Sequence, residues 1–229
     1  MIVILDTETT NTIEQPLPYD FGWIVVDPDT KTIVEKRSYV VKEIFLDKEL
    51  MSTAYFAEKI PSYWEDIKAG RRTMKTMIQI RKILWRDMKK YSCSRIGAYN
   101  MGFDKRAARN DCRYITGSWL RWFFPYNVDF FCIWHMACSS FLATPEYINF
   151  ARQHNFISEK GNILTSAECA YRYIKNQPDF IESHTGLEDS LIEAEIYFHC
   201  LKENYPNMKD SLNSACWQKV QKYNKKVLH

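Results

Sequence analysis

An unbroken apolar run, Ile2-Val3-Ile4-Leu5, is followed at once by Asp6-Thr7-Glu8-Thr9-Thr10. The run is too short for a helix and rich in β-branched residues, so it reads as a strand buried on both faces, near the middle of a sheet. Asp6 and Glu8 fall at its carboxyl end, two residues apart. Side chains alternate along a strand, so both carboxylates point the same way. Two acids that close resist joint ionisation. A cation between them removes the conflict, and hard oxygen donors suit Mg²⁺ or Mn²⁺. A solvated strand end accounts for the same two residues, so the pair decides nothing alone.

The chain around this stretch has 229 residues, enough for one α/β domain with a real core. Its 46% hydrophobic and 26% charged residues are those of a soluble globular protein. A net charge of +3 is too small to argue nucleic-acid binding by itself. No basic segment precedes the first apolar run, which argues against a signal peptide. The longest apolar stretch, near Val128 to Cys138, is broken by Asp129 and His135, so no membrane span is expected. Seven cysteines without a C-x-x-C pair fit a reducing, cytoplasmic setting.

Further along, Phe21 to Val26 forms a second strand, Asp27-Pro28-Asp29-Thr30 a turn, and Thr32 to Val41 a third strand, antiparallel because the turn is short. Residues 43–91 read as helical. Met74, Met77, Leu84 and Met88 recur near a 3.6-residue period, with Lys75, Lys82, Arg86 and Lys89 on another face. That basic face is a solvated surface or a phosphate-binding one. Arg95 to Tyr99 is a fourth strand, and a helix is expected from about Lys105. The aromatic residues between Trp119 and Phe131 read as core rather than a base-stacking platform. Cys132, His135 and Cys138 lack a fourth ligand at zinc-site spacing. Thr165 to Glu168 reads as a capping box for a helix from Ala167, and further helices are expected over Leu187 to about Glu203 and from Trp217.

Asp189 heads the apolar stripe Ile192, Ile196 and Cys200, where an acid is costly without a partner. His184 precedes it by five residues at the loop-to-helix junction. Asp104 suits a helix amino terminus on its own account, and Asn100 a turn. Their order is what distinguishes them. Asp6-Thr7-Glu8-Thr9-Thr10, Asn100-Met101-Gly102-Phe103-Asp104 and His184-Thr185-Gly186-Leu187-Glu188-Asp189 together resemble the three motifs of the DEDDh, or DnaQ-like, exonucleases of the ribonuclease H-like superfamily. Asp129 before an apolar run resembles a recurrent, non-catalytic feature of that family. Asn11 stands where a glycine usually follows the first motif, and Tyr99 where a histidine often precedes the second. Both substitutions bear on the nucleotide pocket, and neither removes a metal ligand. The long 43–91 segment looks more like the stand-alone exonucleases of bacteriophages.

The resemblance implies a mixed sheet with the first strand central and the second antiparallel, flanked by helices, with a helical insertion at 43–91 and one exonuclease domain over 1–229. It implies 3′–5′ hydrolysis of terminal phosphodiesters to nucleoside 5′-monophosphates with two divalent ions, Mg²⁺ or Mn²⁺. Asp6, Glu8, Asp104 and Asp189 would be the metal ligands, with Asp6 shared by both ions, and His184 the general base. Thr7, Thr9, Asn100 and Phe103 would receive the terminal nucleotide. Single-stranded or mismatched DNA 3′ ends are the expected substrate, with RNA trimming the alternative. A non-catalytic nucleic-acid-binding domain on the same fold is a remoter one. A proofreading role would add a DNA polymerase as partner. The expected assembly is a monomer or homodimer.

Overall fold

The computed structural model of the chain describes residues 1–202 and 215–227. Six strands form one mixed sheet in the order β4-β3-β2-β1-β5-β6. They are β1 (Ile2–Thr10), β2 (Leu17–Asp27), β3 (Thr32–Val41), β4 (Thr73–Lys75), β5 (Arg95–Ala98) and β6 (Asp129–Cys132). The helices flanking them are α1 (Lys42–Phe45), α2 (Lys48–Met51), α3 (Ile60–Lys68), α4 (Met77–Lys90), α5 (Met101–Thr116), α6 (Ile133–Ser139), α7 (Pro145–Gln153), α8 (Ala167–Lys175), α9 (Gly186–Lys202) and α10 (Trp217–Val227). The expected α/β class and the central, antiparallel-paired first strand are both present. No described helix is long and apolar enough to cross a membrane.

The chain divides into two compact units. The first holds residues 1–96, 103–129 and 183–190, the second 97–102, 130–182 and 191–229. In the first unit β1 does not stop at Leu5. It pairs with β2 from Ile2↔Val26 to Thr10↔Leu17, with an irregularity between Glu8 and Thr9. Asp6 and Glu8 therefore lie within the strand rather than beyond its end, because the polar residues of β1 are matched by main-chain partners on β2. β2 is buried along nearly its whole length, which suits a strand covered on both faces.

The 43–91 segment is a chain of short helices, a 3-10 turn at Ala57–Lys59, and one strand. Met74 and Lys75 belong to that strand, β4, which runs parallel to β3. The regular helix begins only at Met77, where Thr76 caps it: its hydroxyl accepts from the Gln79 N–H, and the Gln79 side chain accepts from the Thr76 N–H. Met77, Ile80, Leu84 and Met88 are its buried stripe. Lys82, Arg86 and Lys89 face solvent. The 119–126 segment docks on this helix through main-chain oxygens: Arg81 donates to the Trp122 carbonyl (2.7 Å) and the Trp85 indole to the Phe123 carbonyl (2.7 Å). Its aromatics split, with Phe123 and Phe124 buried and Trp119 and Tyr126 exposed.

In the second unit the bare Gly97 is covered by the Phe131 ring, where a Cβ would collide, and Phe131 meets Tyr197. Ser166, not Thr165, caps α8, its hydroxyl accepting from the Cys169 N–H. Glu168 instead pairs with Arg172 four residues on (2.7 Å). Gln221 of α10 bonds both the N–H and the carbonyl of Ile163, as a neighbouring strand would. α9 ends at Lys202 in the described chain, and Glu203 lies outside the described residues.

Candidate active site

The first unit brings the first and third motifs together by way of a missing side chain. Gly22 of β2 sits opposite Asp6 in the β1–β2 register. Any Cβ on Gly22 would overlap the main chain of Gly186 and Leu187, and one on Gly186 would press on Gly22 and on the Asp6 carbonyl. Two glycines thus let the start of α9 rest directly on the β1–β2 pair. The contact is fixed by Asp20, fully buried on β2, whose carboxylate accepts from the Gly186 N–H (2.9 Å), the Tyr63 hydroxyl (2.7 Å) and Arg72 (3.1 Å). Arg72 also donates to Asp66 (3.0 Å), Ser38 (2.8 Å) and Glu188 (2.8 Å). A guanidinium so nearly buried is tolerable only because acids surround it, and they hold it charged.

With α9 seated, Glu8, His184 and Asp189 each offer a ligand atom, all within 4.8 Å of one another. Glu8 and Asp189 are buried. Asp189 accepts from the Ser183 hydroxyl (3.1 Å) and the Thr185 N–H (3.1 Å), which orient it at the start of the helix. Burial nevertheless pushes its carboxyl up to about 7, those hydrogen bonds opposing and Glu188 adding to the rise. His184 holds a left-handed backbone, φ 53°, and its ring stacks on Phe56 at 3.9 Å between centroids and 10° between planes.

Asp6 shares β1 with Glu8, and the alternation of that strand gives both the same side. Asp104 lies in the first turn of α5, which begins at Met101, four residues earlier than its sequence suggests. It is tied to Thr7, whose hydroxyl donates to it at 2.8 Å. Burial raises its carboxyl to about 7 against the pull of that bond. Asp6 and Asp104 stand outside the Glu8–His184–Asp189 triplet. Asn100 belongs to the second unit, in a left-handed turn with φ 72°. Next to the triplet lies a cavity of about 340 Å³ lined by Thr7, Glu8, Thr9, Phe103, Tyr55 and Phe56 among others. Three of the four residues expected to receive a nucleotide line it.

The donor set fits a hard divalent cation. Burial is the largest cause that raises the carboxyls of Asp104 and Asp189, and the charges of Glu188 and Asp20 add to it at Asp189. No arginine or lysine is among the causes, so a cation is what would let them ionise together. Sequence reasoning missed Phe56, Gly22, Arg72 and Asp20. Of these only Gly22, a glycine inside a β-branched strand, carried a local sign of close backbone approach.

No protein-family model and no curated protein sequence matches the chain. Solved structures do. A full-length 3′-exonuclease superposes with a TM-score of 0.61 at 16% identity, over 89% of this chain and 82% of that one. A 3′-exonuclease described in 3′-end-specific recognition of a histone mRNA stem-loop gives 0.58 at 16% identity, over 88% and 81%. E. coli exonuclease I with a dA16 oligonucleotide gives 0.50 at 16%, over 89% of this chain but 40% of that one. The chain has the ribonuclease H-like fold of these exonucleases.

Proposed function

We propose that this chain is a 3′–5′ exonuclease that hydrolyses the terminal phosphodiester of a nucleic acid strand, DNA in the first place, and releases a nucleoside 5′-monophosphate. The observation that carries the reading is the convergence of Glu8, His184 and Asp189 beside a cavity walled by Thr7, Thr9, Phe56 and Phe103. Asp6, Glu8, Asp104 and Asp189 would hold two divalent ions, Mg²⁺ or Mn²⁺, which supply an acidified water and charge neutralisation at the phosphoryl group. The chain's own part is positional and acid–base. The main chain of Thr7 to Thr9, with Phe103, receives the last nucleotide, its 3′ hydroxyl inward. The water oxygen bonds to phosphorus while the bond from phosphorus to the preceding 3′ oxygen breaks. The water's proton passes to an imidazole nitrogen of His184, and the leaving oxygen takes a proton from solvent. Phe56 and the Asp20–Arg72 cluster hold His184 and α9 in place for this.

RNA is the second reading, because one similar structure is described with a histone mRNA stem-loop. Single-stranded DNA and RNA carrying a 5′ label, incubated with Mg²⁺ and resolved by length over time, test both. The expected result is a descending ladder from the 3′ end, abolished by EDTA and by a blocked 3′ terminus, and faster on DNA. Cleavage of a circular single strand, or activity persisting after exhaustive chelation, is incompatible with the proposal.

A further inference from the structure

Helix α5 divides its residues sharply between two faces. Asp104, Ala107, Ala108, Asp111 and Cys112 are buried, while Arg106, Arg109 and Arg113 recur at steps of three and four along the other side. These three line a groove of about 490 Å³ whose other residues include Asn11, Glu14 and Trp119. The Nε of each arginine is enclosed, and none of the three finds a hydrogen-bond acceptor there. Among the described residues none of the three forms an ion pair with an acid. Arg106 donates to the Ile13 carbonyl (3.1 Å) and lies over Phe103, and Arg113 lies 4.4 Å over the Trp119 ring. Three other arginines of this unit are paired with acids: Arg37 with Glu35 and Asp87, Arg71 with Asp66, Arg72 with three acids. Three guanidiniums in one groove without carboxylate partners repel one another, and a polyanion relieves that repulsion.

The groove adjoins the nucleotide cavity. Asn11 lines both, and Ile13, held by Arg106, lines the cavity. Trp119, 77% exposed, offers an open ring face, and every base can stack on such a face. We infer that this groove carries the single strand upstream of the terminal nucleotide, with Arg106, Arg109 and Arg113 on its phosphates and Trp119 against a base. The inference rests on the proposed function for which nucleotide occupies the cavity. It also selects between the two basic faces of the unit: Lys82, Arg86 and Lys89 on α4 are exposed, and Arg86 is 3.8 Å from Asp87.

Binding is read by fluorescence anisotropy of a labelled single-stranded 12-mer in EDTA, titrated across NaCl concentrations. The variants are the Arg106→Gln/Arg109→Gln/Arg113→Gln triple, Trp119→Ala, and a Lys82→Gln/Lys89→Gln control. Hydrolysis of the p-nitrophenyl ester of thymidine 5′-monophosphate, which has no upstream phosphodiester, is followed in parallel with Mn²⁺, beside a melting curve for each protein. The triple variant is expected to bind at least about tenfold more weakly and to lose about two from the slope of log affinity against log salt, at about 0.7 per phosphate contact. Its hydrolysis of the ester should stay within about twofold of wild type, as should the control's binding. Trp119→Ala should weaken binding with the slope unchanged, and it carries the test if the triple variant does not fold. Unchanged affinity and slope in the triple variant, or an equal loss in the α4 control, overturns the inference. A wild-type protein that ignores the ester yet shows the arginine-dependent binding refutes the catalytic reading and leaves the groove standing.

Discussion

His184 bears a cost that a residue serving only to begin a helix would not. Its left-handed backbone, φ 53°, is disfavoured for a side chain with a Cβ by about 1–2 kcal/mol, and its ring is stacked flat on Phe56. Ser, Thr, Asp and Asn begin helices better. The strain places an imidazole beside Glu8 and Asp189, where a proton acceptor is wanted. Losing a helix-start contact costs about 1 kcal/mol of stability and should leave folded protein almost as fast. Losing a general base costs about a hundredfold to ten-thousandfold in rate. His184→Ala is therefore expected to stay folded, to bind a 3′-ended strand, and to be slower by at least about a hundredfold in single-turnover cleavage. Wild-type rate should also fall at acid pH as an imidazole takes up its proton. A folded mutant within about threefold of wild type would remove His184 from the base role. Glu8, His184 and Asp189, which the structure brings together, could be singled out in the sequence because each sits in a short motif of fixed spacing. Phe56 was not, because one aromatic in a run of short helices bears no periodic relation to a histidine far along the chain.

Among the elements, the contact between the β1–β2 pair and the start of α9 has the least room. Gly22 has no space for a Cβ against the Gly186 main chain, and main chain yields less readily than a flexible side chain. Gly22→Ala should thus push the start of α9 off the sheet, costing about 1–3 kcal/mol as an overpacked core does. It should also lower activity at least about a hundredfold, since a misplacement of about 1 Å at the reacting groups is worth that much. Melting temperature and single-turnover rate read the two effects separately. A variant with wild-type rate and stability would show that the contact does not position His184 and Asp189. The glycine itself hinted at close approach, but its partner could not be inferred from one sequence. Other differences have the same origin. β1 extends through Thr10 because β2 pairs with it, and Met74 leaves the α4 stripe because β3 offers it a parallel neighbour. Period-based reading sees one segment at a time, whereas both outcomes depend on two.

For the molecule as a whole, three buried aspartates make stability depend on pH in two separable ways. Asp104 and Asp189 are pushed up to about 7 by burial. Asp111, on the inward face of α5, is raised well above the usual carboxylate range by burial, with Glu43 adding to the rise, and neither of its oxygens has a hydrogen-bond partner. A carboxyl whose folded pKa exceeds its unfolded one contributes stability that is fully present below the unfolded value, near 4, and is lost as pH rises through the folded value. For Asp104 and Asp189 the rise means that ionising either carboxyl in the folded protein draws on a domain's small stability margin. Without divalent ions the melting temperature should therefore drop by at least about 5 °C between pH 5 and pH 8. Mn²⁺ binds ionised carboxylates, so its stabilisation should grow over the same interval and offset the part due to Asp104 and Asp189. Asp111 lies on none of the three motifs, and the part it causes should survive Mn²⁺ yet diminish in Asp111→Asn, which holds no ionisable proton. Melting curves of both proteins at pH 5, 6, 7 and 8, with EDTA or Mn²⁺, separate the two contributions. An EDTA melting temperature that stays level across this range would mean that the buried acids ionise without penalty, and a Mn²⁺ shift equal at pH 5 and pH 8 would mean that the ion does not compete with protons at Asp104 and Asp189.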